Sequence, residues 1–92
     1  MGKPAWLRCK IHRGMFSTEF AVMVETKEGM ILTFFVPEEF LQFQRKPSGS
    51  EEVEGQIRVH VLDENSGVIN LPREPFEGSR FIRVARNVLA FA

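Results

Sequence analysis

Residues 19–36 read Glu-Phe-Ala-Val-Met-Val-Glu, then Thr-Lys-Glu-Gly, then Met-Ile-Leu-Thr-Phe-Phe-Val. Phe20, Val22 and Val24 alternate with Ala21, Met23 and Glu25, the period of two of a strand with one dry face. Gly29 closes a tight turn. The second run is apolar almost throughout, with Thr33 its one hydroxyl, and a strand of that kind is usually covered on both faces. The stretch predicts a β-hairpin at the centre of a small barrel or rolled antiparallel sheet.

The same period recurs on either side. In residues 6–12, Leu7, Cys9 and Ile11 share one face, and Trp6, Arg8, Lys10 and His12 share the other. In residues 56–62, Ile57, Val59 and Val61 point inward against Gln56, Arg58 and His60. Asp63-Glu64-Asn65-Ser66-Gly67 has turn composition, and Val68-Ile69-Asn70-Leu71 pairs back as a short strand that Pro72 ends. Between the hairpins, residues 37–44 predict a short helix: Pro37 suits its first position, and Glu38 and Glu39 suit the positive end of its dipole. Phe40, Leu41 and Phe43 would face the sheet. Residues 45–54 predict a mobile loop and residues 73–79 a second loop.

Residues 80–92 fit two patterns. Phe81-Ile82-Arg83-Val84 has strand propensity. Phe81, Ile82, Val84, Ala85, Val88, Leu89 and Ala92 also share one helical face that Ser79 could cap. Three arginines without an acid near a helix N-terminus are unfavourable, so a strand at about 80–85 and a turn near Arg86 and Asn87 are expected. The fold class that results is mainly β: a single small domain over residues 1–92, with five to six strands and one short helix.

Ninety-two residues suffice for one modest core, and nine phenylalanines are expected to carry much of it. No apolar run approaches the ~20 residues of a membrane-spanning helix. Residues 1–8 hold no apolar h-region, so no secretory signal is expected. A lone cysteine forms no internal disulfide and suits a reducing cytoplasm. Net charge is zero but unevenly spread: residues 1–16 carry +4, residues 80–92 carry +3, and residues 17–79 carry −7. Such asymmetry bears on partners rather than on fold.

Trp6, Arg8, Lys10 and His12 on one strand face combine an indole, two cations and an imidazole. Cations neutralise phosphates and a ring stacks on a base, so this is a candidate nucleic-acid surface. Arg58 repeats the theme on another strand, with His60 beside it. Arg80, Arg83 and Arg86 would join if the two termini lie together. Alternating cations on an exposed strand are equally a device against edge aggregation. The absence of tyrosine and the neutral balance weigh against a dedicated nucleic-acid binder. Met15 and Phe16, beside a turn, are candidates for a partner-binding surface.

Other constellations carry less. His60, Asp63 and Glu64, with a remote His12, match no zinc spacing. Cys9 and His12 are an odd number of residues apart on a strand and point to opposite faces, which leaves Cys9 as a small buried hydrophobe. Glu38 and Glu39 are adjacent on a first turn and do not face each other. Barrels of the PilZ family bind cyclic dinucleotides through R-x-x-x-R followed by D/N-x-S-x-x-G. Residues 63–67 have the wrong spacing, no such arginine pair precedes them, and nothing transfers. No acid, base and nucleophile converge, so an enzyme is the third choice and no cofactor or metal is expected. The leading expectation is a non-catalytic cytoplasmic binding or adaptor module acting through a protein partner or by self-association. Nucleic-acid binding is the alternative.

Overall fold

The computed structural model describes residues 2–15 and 18–91. Two 11-residue strands run side by side through its middle: β1, Lys3–Arg13, and, fourth strand away in sequence, Val53–Asp63. They pair antiparallel from Lys3 opposite Val61 to Ile11 opposite Val53. The remaining strands are β2 (Glu19–Glu25), β3 (Ile31–Pro37), β4 (Leu41–Gln42), β6 (Val68–Asn70), β7 (Phe81–Arg83) and β8 (Leu89–Phe91), so that Val53–Asp63 is β5.

Each long strand shares its outer edge between two short ones. On β1, residues 10–13 pair with β2, and residues 5–7 pair with β8. On β5, Gln56 and Ile57 pair with β4, and His60, Val61 and Asp63 pair with β6. The order β3-β2-β1-β5-β6-β7 therefore curls as a six-stranded antiparallel half-barrel, with β4 and β8 as flanking pieces. Its concave side is dry. Leu7, Cys9, Ile11, Phe20, Val22, Val24, Ile57, Val59 and Val61 are all buried, together with Ala5, Leu32, Phe34, Val36, Leu41, Ile69, Leu71 and Val84. Successive side chains of a pleated strand must face opposite ways, so the alternation in sequence becomes a filled interior.

The chain between β6 and β7 closes the gap at β3. Residues 72–79 run along that strand: Arg73 reaches Glu19 at 3.2 Å, the Phe76 N–H donates to the Thr33 carbonyl at 3.0 Å, and the Phe76 ring meets Phe35 edge-on at 5.3 Å. The Lys27 N–H then donates to the Arg83 carbonyl, joining the β2–β3 turn to the end of β7. An edge strand as apolar as Ile31-Leu32-Thr33-Phe34-Phe35-Val36 invites pairing with other chains, and a covering loop is one protection against it.

Several expectations are corrected. The β2–β3 hairpin is not the centre of the sheet; β3 ends the strand order, with Ile31 58% exposed, and β1 and β5 are central. The short helix of two turns or fewer expected within residues 37–44 is present but reduced to a single 3-10 turn at Glu38–Phe40. Leu41 is drawn into the sheet opposite Ile57, and a helix so short gains too few bonds to resist. Phe40, Leu41 and Phe43 do pack on the core, Phe43 against Phe20 at 5.4 Å. Val53 and Glu54 already belong to β5 rather than to a loop, and the last expected strand is Phe81–Arg83 alone. A 3-10 turn at Arg86–Val88 follows, and the further strand β8 was not foreseen. Phenylalanine also contributes less to the core than its abundance suggested: among the described residues only Phe20 and Phe34 are fully buried, Phe40 and Phe43 pack against the core part-buried, and Phe76, Phe81 and Phe91 are exposed.

Candidate functional site

The convex face over β1, β5 and β4 collects the polar and aromatic side chains that alternation turns away from the core. Register decides which of them meet. Trp6 lies opposite Arg58, Arg8 opposite Gln56, and Lys10 opposite Glu54. Gln42 continues the Arg8–Gln56 row onto β4, and Ala90 lies across Trp6 on β8. The Arg58 guanidinium sits 5.9 Å from the Trp6 ring centre and 6.0 Å from that of Phe40, a cation within reach of two aromatic rings. The 3-10 turn thus supplies a second ring that the sequence, read as a helix facing the sheet, did not assign to any site.

Beside this row lies an open groove of about 1240 Å³ lined by Arg8, Gln42, Gln56, Glu38, Arg45 and Glu54 among others. The acids around it are largely engaged. Glu52 accepts from Lys10 at 3.2 Å and meets His12 Nε2 at 3.0 Å, and these contacts, that with Lys10 first, lower its pKa. Glu38 pairs with Lys46 at 3.2 Å. Arg45 grips Glu51 through both guanidinium nitrogens and holds its carboxyl at about 2. Arg8 and Arg58, by contrast, enter no ion pair among the described residues.

The eight residues singled out as a basic surface are therefore divided. Trp6, Arg8 and Arg58 come together. Lys10 and His12 continue the same face but are tied to Glu52. Arg80 and Arg83 belong to the β7 end of the sheet, with β5 and β6 between them and β1, and Arg80 lies over the Phe81 ring. Arg86 borders a separate hollow with Lys3, Asp63 and Glu64. His60 faces outward across from Pro4 and Asn70.

Met15 stands 82% exposed in the β1–β2 connection; Phe16 lies outside the described residues. The hairpin beyond it has an apolar outer side. Ala21 and Met23 on β2 lie opposite Phe35 and Thr33 on β3, and Ile31 lies opposite Glu25. Phe76, 67% exposed, extends this side from the covering loop. The signal for it in the sequence was the nearly unbroken apolar run of residues 31–36, with Thr33 its one polar member.

Cys9 is buried on the inner face and its thiol is pushed up to about 12 by that burial, which makes it unreactive. No group of three or more His, Cys, Asp or Glu side chains among the described residues could hold a metal ion. No described helix is long and apolar enough to cross a membrane. Comparison with protein-family models, with curated protein sequences and with solved structures finds no match.

Proposed function

We propose that the protein is a non-catalytic binding module of the cytoplasm that acts through a protein partner. The observation that supports this reading is the outer side of the β2–β3 hairpin: Ala21, Met23, Ile31 and Phe35 lie there, next to the exposed ring of Phe76. A largely apolar surface on a small domain, here with Thr33 its one hydroxyl, is costly to leave in water, and apolar surface of this kind marks interaction sites. Polar neighbours rim it, with Lys10 beside Met23 and Glu25 beside Ile31, the arrangement of an interface centre and its edge. The lone buried thiol fits a reducing compartment.

The test is a pair of surface variants. Ile31→Lys places a charge on the patch while giving Glu25 an opposite charge across the strands, so the fold is kept. Phe76→Ser removes the exposed ring and leaves its backbone bond to Thr33 in place. An interface centred on these residues should lose ~30-fold or more in affinity with either change. Sedimentation of the purified protein separates a second copy of the chain from a foreign partner captured from cells. If both variants fold and still hold every partner, and self-associate as the unaltered protein does, this surface is not the interface.

A further inference from the structure

A second surface, independent of the apolar hairpin side, is built for a different ligand. We propose that the convex face of β1, β5 and β4 binds single-stranded nucleic acid, with bases stacked on Trp6 and Phe40 and phosphates met by Arg8 and Arg58.

Three features of the face point to this chemistry together. The first is the pair of rings that both lie near the Arg58 guanidinium, at 5.9 and 6.0 Å. Both rings are half-buried, so their positions are fixed by the sheet beneath them. Ala90, the cross-strand neighbour of Trp6 on β8, carries only a methyl group against the part-buried indole, and the exposed part of that ring would be the platform for a planar base. The second is the charge left over. Lys3, Lys10, Arg45, Lys46 and Arg73 each have a carboxylate within 3.2 Å; Arg8 and Arg58, like Arg13, Lys27, Arg80, Arg83 and Arg86, have none among the described residues, and Arg8 and Arg58 are the two that lie on this face. Those two guanidiniums are offset by one row on adjacent strands, since Arg8 faces Gln56 and Arg58 faces Trp6. They are free to form the forked bonds that phosphate accepts. The third is the pair of amides, Gln56 and Gln42, side by side on β5 and β4 in the Arg8 row. An amide offers a donor and an acceptor to the edge of an unpaired base.

An acidic peptide would satisfy the arginines but would leave the two rings and the amide pair without a role. Duplex DNA is excluded by form: the rings stack only on bases that are already unstacked. Glu54, across from Lys10 on the same face, limits the attraction, so binding is weak and rests on stacking as much as on charge.

The experiment uses the intact chain and the natural reporter Trp6, the single tryptophan. Titration with an oligothymidylate of about 15 nucleotides, near the upper span of one small barrel, should quench its fluorescence. Two phosphates engaged give a slope of log K against log salt of about −1.4, so affinity should fall about sevenfold from 50 to 200 mM salt. Arg8→Gln should flatten that slope by about half, an effect that a structural change alone does not produce. Phe40→Leu should weaken binding about tenfold through lost stacking, with the slope unchanged. Arg83→Gln, on β7, should change nothing. The proposal is overturned if no binding is seen at 50 mM salt, or if polyglutamate binds as tightly as the oligonucleotide. It also fails if Arg83→Gln weakens binding as much as Arg8→Gln. None of these results bears on the hairpin variants, so the two surfaces stand or fall separately.

Discussion

Gly67→Ala is the most searching test of how this fold is closed. Gly67 ends the turn between β5 and β6, with φ at +74°. Its N–H donates to the Asp63 carbonyl at 2.9 Å, and its carbonyl accepts from the Val84 N–H at 2.9 Å. The second bond fastens the segment that carries the chain from β7 to β8, and so across to β1. An alanine in the left-handed region costs about 1–2 kcal/mol, offset by about 0.4–1 kcal/mol from the stiffer unfolded chain. Gly49, with φ at +59° and nothing within 4 Å of an added Cβ, isolates this term. Gly49→Ala should therefore cost about 0.5–1 kcal/mol. At Gly67 an added Cβ would stand 2.2 Å from the Val84 carbonyl oxygen, a backbone atom that cannot rotate aside. Relief requires the Val84 peptide to shift, which breaks its bond at about 0.5–1.5 kcal/mol. It also lifts a side chain only 1% exposed from the core, at about 1–2 kcal/mol. The total for Gly67→Ala is about 3 kcal/mol. Urea unfolding measures it: at an m-value of about 1.5 kcal/mol/M, the midpoint should fall about 2 M for Gly67→Ala, against about 0.5 M for Gly49→Ala, with m unchanged. Equal shifts in the two variants would refute the close-approach argument.

Three further outcomes are expected. Cys9, buried and with its thiol at about 12, should resist a thiol-specific disulfide reagent at mildly alkaline pH and react only as the protein unfolds; rapid modification of folded protein would contradict its burial. Glu51 is held at about 2 against an ordinary 4.5, by Arg45 first and by the Ser48 N–H after it. Its folded value lies below its unfolded one, so its contribution is present above pH 4.5 and is lost as pH falls through that value toward 2. Glu52 and Asp63 are lowered in the same direction. Urea midpoints should fall over that acid window, and Glu51→Gln should flatten the fall, less so in high salt because the pair is at the surface. Phe34→Ala, at a side chain 1% exposed, should cost about 3–5 kcal/mol. Phe81→Ala, at one 53% exposed, should cost less than about 1 kcal/mol by thermal unfolding, and the reverse order would mean that the core has been misplaced.

The candidate surfaces were legible in the sequence only as lists of residues. Trp6, Arg8, Lys10 and His12 could be placed on one face of a strand because their parity is local. Nothing local distinguished Arg8, left without a carboxylate, from Lys10, held by Glu52 some forty positions away. The terminal arginines looked like natural companions of this face by charge alone, yet β7 pairs with β6 and only β8 returns to β1. Phe40 was expected to face the core and does pack against it, but its nearness to Arg58 was not legible. The sheet claimed Leu41 first, and the tight turn left behind carried the Phe40 ring to Arg58.

What the sequence alone determined was which side of each ribbon would be dry. The pleat turns successive side chains to opposite faces, and an apolar set at every second position has one low-energy orientation whatever lies next to it. The tertiary structure decided which ribbons adjoin, and hence everything that depends on two residues meeting: the Trp6–Arg58–Phe40 cluster, the loop laid over β3, and the crossing that brings β8 to β1. Those pairings are chosen by the closure of a curved sheet over a shared core. They join positions tens of residues apart, and no window of the sequence contains both partners.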